Sequence, residues 1–108
     1  MYSIEKSQKD LGSGNFSTYS REIINCNILK VEAGTTGLMG GDTGHGGRTY
    51  FRIEDAASTD IHIAPVVRDK CVTGFEVSLG GDTELITIIE ALKFITQVLE
   101  EGIWRKIN

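Results

Sequence analysis

The chain has 108 residues, of which 40% are hydrophobic and 24% charged, and its formal net charge is -4. That length and composition predict one globular domain that is large enough to bury its own core. The acidic balance and the lack of a basic run argue against a nucleic-acid partner held through its phosphates. No apolar run approaches the about 18 residues of a membrane span, and residues 1–10 lack the apolar stretch of a secretion signal. The sequence therefore predicts a cytoplasmic protein with no membrane partner.

The first third of the chain predicts a flexible arm followed by a strand. Residues 1–22 are polar and rich in Ser and Thr, which is typical of a flexible N-terminal arm. Residues 23–33 predict a half-buried strand, because Leu29, Val31 and Ala33 alternate with charged residues. Upstream of this alternation the apolar positions change phase, which predicts a bulge near Ile28 or a second buried face.

Three more strands are predicted after residue 47. They cover residues 48–54, 61–67 and 71–79, each with apolar residues at alternate positions. Pro65 cannot donate a hydrogen bond to a neighbouring strand, so its strand lies at an edge or is interrupted there. The links between these strands are short, with a tight turn at residues 68–70, and predict antiparallel neighbours.

The last quarter of the chain predicts a helix from Asp82, a favourable N-cap, to about residue 101, with Gly102 as the C′ residue. Six apolar residues at helical spacing predict the face that packs on the core: Leu85, Ile88, Ile89, Leu92, Ile95 and Leu99. Phe94 falls outside this stripe and is predicted to be exposed. Both cysteines, Cys26 and Cys71, lie in strand patterns and are predicted to be buried as small hydrophobic residues.

These elements predict an α+β domain over residues 23–108. Its sheet has four antiparallel strands in sequence order (a meander), with the C-terminal helix packed on one face. The other face of this predicted sheet carries a mixed set of side chains: Tyr50, Arg52, His62, Ala64, Val72 and Glu76. Because one helix covers only one face of a sheet, the sequence predicts a homo-oligomer, a dimer or larger.

A glycine-rich loop is the strongest functional signal in the sequence. Seven of the 13 glycines lie within residues 34–47, directly before Arg48. Successive backbone N–H groups in such a loop can converge on an anion, and an arginine adds a forked donor. The sequence thus predicts a non-enzymatic binding protein for a small anionic ligand such as a nucleotide, with no cofactor, metal or catalytic residue. The predicted ligand-binding residues are Thr36, Gly40, Gly41, Asp42, Thr43, Gly44, His45, Gly46, Gly47, Arg48 and Tyr50.

Other interpretations of the loop remain open. It matches neither the phosphate-binding loop of nucleotide triphosphatases nor the dinucleotide fingerprint. His45 could act as the general base of a small hydrolase, with Asp42 beside it. Together with Asp60 and His62, these two residues could hold a divalent ion, although the spacing typical of metal sites is absent. Alternatively the loop is structural, with Asp42 bonding its own amides, in a module that binds another protein.

Residues 29–51 also carry a resemblance. Their segment Gly-Gly-Asp-Thr-Gly-His-Gly-Gly-Arg-Thr-Tyr-Phe is similar to small uncharacterised proteins of Gram-positive bacteria and their phages. The resemblance covers the domain from residue 23 onward and implies no particular activity. Carriage by phages suggests a counter-defence role, which includes proteins that sequester nucleotide signals.

Overall fold

The computed structural model of the chain describes residues 4–12, 14–41 and 46–107, with side chains described as far as Ile103. Over these residues the elements follow one another as strands and then one helix: β1 Glu5–Asp10, β2 Asn15–Ile24, β3 Ile28–Thr35, β4 Thr49–Ala57, β5 Ile61–Arg68, β6 Cys71–Leu79 and α1 Asp82–Ile107. The predicted α+β class, with a four-stranded antiparallel sheet and a C-terminal helix, is confirmed.

The four strands of the sheet are not the four that the sequence indicated. The sheet has the order β1-β2-β3-β4, and β5 and β6 form a separate two-stranded sheet. The chain leaves the main sheet after β4, where Ser58 has a φ of 59°. The next residue, Thr59, is buried, and its hydroxyl donates to the carbonyl oxygen of Ile28 at 3.1 Å. This anchor turns the chain away before β5 can pair with β4.

The first two strands occupy residues that were predicted to be a flexible arm. β2 pairs with β3 along most of its length, and β1 pairs with β2 at the edge of the sheet. Within β2, Thr18 and Ser20 are as buried as Phe16. The Thr18 hydroxyl donates to Glu32 Oε2 at 2.6 Å, so a buried polar group is satisfied inside the sheet. The prediction failed because a strand buried through hydroxyl side chains lacks the apolar alternation that identifies strands.

The centre of the sheet is β3, and α1 packs directly on it. Leu29, Val31 and Ala33 have no exposed side-chain surface. They form the core with a short set of residues from β2 and α1, namely Ile23, Ala91 and Phe94. The predicted bulge is confirmed, because the pairing between β3 and β4 shifts register between Ile28 and Leu29.

The helix begins at Asp82 as predicted, but a different face of it is buried. The buried residues of α1 are Glu84, Thr87, Ala91, Phe94 and Ile95. Three residues of the predicted core stripe are instead open to solvent, with exposed fractions of 59% for Leu85, 43% for Ile89 and 49% for Leu92. The small residues Thr87 and Ala91 allow the closest approach to β3, while Ile88 and Ile95 of the predicted stripe still reach the core.

The end of the helix also differs from the prediction, because α1 continues through Gly102 to Ile107. A Cβ on Gly102 would meet the Cγ2 atom of Thr35. The glycine therefore gives room for the close approach of α1 to the end of β3 and does not stop the helix. Among the residues that the structure describes, no helix has the combination of length and apolar character needed to cross a membrane.

Two other burial predictions were wrong. Phe94 is buried, with the guanidinium carbon of Arg21 5.8 Å from its ring centroid. Cys26 and Cys71 are both exposed and free, because Cys26 lies in a turn and Cys71 is the first residue of β6, directly after a turn. Cys26 belongs to the β2–β3 turn, and Cys71 directly follows the β5–β6 turn, where Asp69 and Lys70 have φ values of 49° and 66°.

A buried polar network ties the start of α1 to the sheet. The Thr87 hydroxyl accepts a hydrogen bond from Asn25 Nδ2 at 2.8 Å and lies 3.1 Å from Asn27 Oδ1. Asn27 in turn donates to the Thr59 hydroxyl at 3.1 Å. Thr87, Asn27 and Thr59 are all buried, so this network fixes the β2–β3 turn, the β4–β5 link and the helix relative to one another.

Replacing Thr87 with Val keeps the shape of the side chain but removes the hydroxyl that accepts from Asn25 Nδ2. The same hydroxyl has one proton to donate, to the Thr83 carbonyl at 2.7 Å or to the buried Asn27 Oδ1 at 3.1 Å, and both acceptors lose it. We expect the free energy of unfolding to fall by about 1–3 kcal/mol. Urea denaturation at a fixed chain concentration measures it. Thr96 is exposed on the same helix, and Thr96→Val serves as the control, with an expected change within about 0.5 kcal/mol. Equal effects at the two positions would mean that the network adds nothing to stability.

Candidate functional site

The glycine-rich loop leaves and re-enters the sheet between β3 and β4, and threonines close its base. The N–H of Thr36 donates to the carbonyl oxygen of Arg48 at 3.0 Å, and the N–H of Arg48 donates to the Thr36 hydroxyl at 2.9 Å. The Thr35 hydroxyl donates to the same carbonyl of Arg48 at 3.1 Å and accepts from the N–H of Gly37 at 3.0 Å. Thr36, a predicted ligand-binding residue, thus holds the two ends of the loop together.

Backbone geometry explains several glycines of this loop. Gly37 and Gly40 have φ values of 81° and 78°, in the left-handed region that disfavours other residues. At Gly47 a Cβ would meet the carbonyl oxygen of Gly37 across the base of the loop. At Gly34 a Cβ would meet the carbonyl oxygen of Ser17 in β2. The high glycine content therefore comes in part from tight turns and close backbone contacts.

A pocket of about 560 Å³ lies beside the loop and is formed by the loop and the C-terminal part of α1. It is smaller than a second open pocket of about 850 Å³, which lies between α1 and the β5–β6 hairpin. Gly40, Gly41 and Gly47, which the sequence predicted as binding residues, contribute to the pocket beside the loop together with Leu38 and Met39. Leu99 and Ile103 of α1 form the opposite wall. A volume of 560 Å³ lies within the range of small-molecule sites.

Backbone donors are available on the loop side of this pocket. Among the described residues, the N–H groups of Leu38, Met39 and Gly40 meet no hydrogen-bond acceptor. Backbone N–H groups are strong donors that are satisfied by protein, water or ligand. Leu38 and Met39 are exposed, so these donors are open to water or to a ligand.

The side chain of Arg48 lies along the base of the loop. Its Nη1 donates to the carbonyl oxygens of Gly47 at 3.1 Å and of Gly46 at 3.4 Å. The 3.4 Å bond is long for an N–H donor and weak, so a stronger acceptor can replace it. A guanidinium has five donors, and two carbonyl contacts leave others for a ligand.

The remaining predicted site residues are separated from this pocket or not described. The side chain of Tyr50 lies on the sheet face opposite that of Thr49, with the Nζ atom of Lys9 4.6 Å from its ring centroid. On that same face, Arg52 forms an ion pair with Glu54 at 2.9 Å. Asp42, Thr43, Gly44 and His45 lie outside the described residues.

The second histidine makes a local contact at the start of β5. His62 Nε2 lies 2.8 Å from Asp60 Oδ1, and both side chains are largely exposed. Within residues 4–12, 14–41 and 46–107, no three His, Cys, Asp or Glu side chains lie close enough together to hold a metal ion.

A larger apolar cleft, which the sequence did not predict, separates α1 from the β5–β6 hairpin. Its volume is about 850 Å³, and six of its apolar lining residues are Phe51, Ile63, Phe75, Val77, Ile88 and Leu92. The rings of Phe51 and Phe75 approach across it with their centroids 6.3 Å apart. The alternation of apolar residues in β5 and β6 indicates an apolar face on each strand, but it does not indicate that these strands form a separate hairpin.

Searches against protein-family models, curated proteins and solved structures each found no match to this chain.

Proposed function

We propose that the chain is a non-enzymatic, cytoplasmic binding protein for a small anionic ligand that also carries an apolar ring, as a nucleotide does. The ligand binds in the pocket beside loop 34–48. One observation carries the proposal: on one wall of this pocket lie loop residues whose backbone N–H groups meet no acceptor within the described part of the chain, and on the other wall lie apolar helix side chains.

The two walls suit the two parts of a nucleotide. The N–H groups of Leu38, Met39 and Gly40 donate to phosphate oxygens. The Arg48 side chain lies at the base of the loop outside the pocket lining and turns toward the ligand to add a charged hydrogen bond. Leu99 and Ile103 contact the nucleobase of the ligand, because their side chains form the apolar wall of the pocket. The attraction for phosphate is local, since the chain as a whole has a net charge of -4.

A protein that binds a nucleotide without converting it lowers the free concentration of that nucleotide. This is the counter-defence role that the resemblance to phage proteins suggests. The proposal requires the ligand to be recovered unchanged, which distinguishes it from a hydrolase that uses Asp42 and His45.

Titration calorimetry with a panel of mononucleotides, dinucleotides and cyclic nucleotides tests this proposal. We expect Arg48→Ala to weaken binding about 10- to 150-fold, the effect of losing one charged hydrogen bond. Arg52→Ala is the matched control, because Arg52 is paired with Glu54 on the opposite face of the sheet. Its affinity should equal that of the wild type.

Three results would count against the proposal. If no nucleotide in the panel binds the wild-type chain, the ligand class is wrong. If the two arginine variants bind equally, the loop is not the site, and a structural loop is the better account. If chromatography of the mixture shows a converted nucleotide and His45→Ala abolishes the conversion, the protein is a hydrolase.

A further inference from the structure

The β5–β6 hairpin has one apolar face, and within a single chain most of that face is uncovered, although Ile61 packs against the core. The pairing register places Ile61 opposite Leu79, Ile63 opposite Val77 and Pro65 opposite Phe75, all on one side of the hairpin. We call this side the hairpin apolar face. Ile63 and Phe75 are each 60% exposed. The other side is mixed, with His62, Glu76 and Ser78 beside Ala64 and Val66.

The hairpin also lacks support from the rest of the chain. β5 and β6 pair with each other, but they make only sparse contacts with the four-stranded sheet and with α1. An isolated two-stranded hairpin is at best marginally stable in water. A hairpin that holds a fixed position with an exposed apolar face therefore requires a surface to pack against.

A suitable surface lies across the cleft on α1. Leu85, Ile89 and Leu92 form an exposed apolar stripe on the helix, which we call the outer stripe. Leu92 also lines the cleft, so the outer stripe and the hairpin apolar face belong to one continuous apolar surface. Exposed contiguous apolar patches of this kind mark sites of protein association.

The size and shape of the chain indicate how much surface is uncovered. A folded monomer of 11.8 kDa exposes about 5,900 Å², whereas this chain exposes 7405 Å². The excess of about 1,500 Å² falls in the range that one partner buries in an obligate dimer. The chain is also flat, with extents of 43 × 41 × 18 Å.

We infer that a second copy of this chain covers the cleft, in a twofold-symmetric dimer. The hairpin apolar face of each copy packs on the outer stripe of the other. Both surfaces lie on one chain, so a single twofold axis satisfies both at once. Two stacked copies, each 18 Å thick, form a body about 36 Å thick, close to its other dimensions. The inference is independent of the proposed ligand.

Light scattering coupled to size exclusion measures the mass of the protein in solution. A reductant is present, because Cys26 and Cys71 are exposed. We expect the wild-type chain at high micromolar concentration to have a mass of about 24 kDa, twice its 11.8 kDa. Val77→Asp should halve this mass. Ser78→Asp, at the next position on the other side of the same strand, should leave the mass unchanged.

A variant at α1 tests the other half of the interface. Leu92→Glu should also halve the mass, and a single chain tolerates it because Leu92 is about half exposed. This second variant keeps the test decisive if Val77→Asp fails to fold, as judged by circular dichroism. A monomeric wild-type chain overturns the inference, as does a folded Leu92→Glu variant that remains dimeric. A wild-type chain that purifies only with a different protein overturns it as well.

Discussion

Replacing Phe94 with Ala is expected to lower the free energy of unfolding by about 3–5 kcal/mol. Phe94 is 5% exposed and lies in the cluster with Leu29, Val31 and Ala91, between α1 and the sheet. Removal of its ring leaves a cavity that the rigid β3 strand cannot fill, so the transfer and cavity costs add. Urea denaturation at one fixed chain concentration measures the loss, because self-association would make stability depend on concentration.

Glu90→Ala is the control for this experiment, since Glu90 is exposed on the same helix and should change stability by no more than about 0.5 kcal/mol. Similar losses for the two variants would show that α1 packs on the sheet with a different face. Leu92, the residue that the sequence indicated as the core contact, is about half exposed in one chain. Its truncation should therefore cost less than that of Phe94.

Gly34→Ala is expected to destabilise the protein by about 3 kcal/mol or more, although it adds a single methyl group. A Cβ at Gly34 would meet the carbonyl oxygen of Ser17 and lie 2.9 Å from the Cα atom of Thr18. These are backbone atoms of β2, so relief of the overlap requires a shift of one strand against another. The effect therefore exceeds what the size of the substitution suggests.

Gly74→Ala provides a matched control in β6, because the only neighbour of a Cβ there is Val66 Cβ at 3.8 Å. An alanine in a strand loses less backbone entropy on folding, so this variant should be unchanged or up to about 1 kcal/mol more stable. Thermal unfolding of both variants at equal concentration gives the comparison. If Gly34→Ala has the same melting temperature as the wild type, the approach of β2 to β3 is looser than the structure indicates.

Sequence patterns within a few residues of one another predicted several strands, the start of the helix and one turn correctly. Alternation identified β3, the N-cap preference of Asp82 identified the start of α1, and residues 68–70 identified a hairpin turn. The partner of each strand was not predictable in the same way. Whether β5 pairs with the outer edge of β4 depends on contacts such as the buried Thr59 hydroxyl, which joins residues far apart in sequence.

The buried face of α1 was ambiguous for a related reason. Apolar residues cover more than half of its circumference, so periodicity alone offers two overlapping stripes. The small residues Ala91 and Thr87 decide between them, because they allow the closest approach to β3. The outer stripe consists of larger apolar residues, so it is the more prominent of the two stripes in the sequence.

The loop side of the candidate pocket was predictable, and its helix side was not. Glycine content identified loop 34–48 before its geometry was known. Leu99 and Ile103 form the other wall only because α1 continues past Gly102, a residue that the sequence indicated as the end of the helix. A close-packing glycine and a helix-ending glycine look alike in sequence, since both are selected for the absence of a side chain.

The position of α1 after all the strands has a consequence for synthesis of the protein. β3 ends at Thr35, but the helix that covers its apolar side begins only at Asp82. At roughly 5–20 residues per second, a ribosome takes roughly 3–12 s to add the residues from the end of β3 to the middle of α1. During this interval the nascent sheet presents Leu29 and Val31 without cover. The charged edge strand β1, made first, then limits pairing between neighbouring nascent chains.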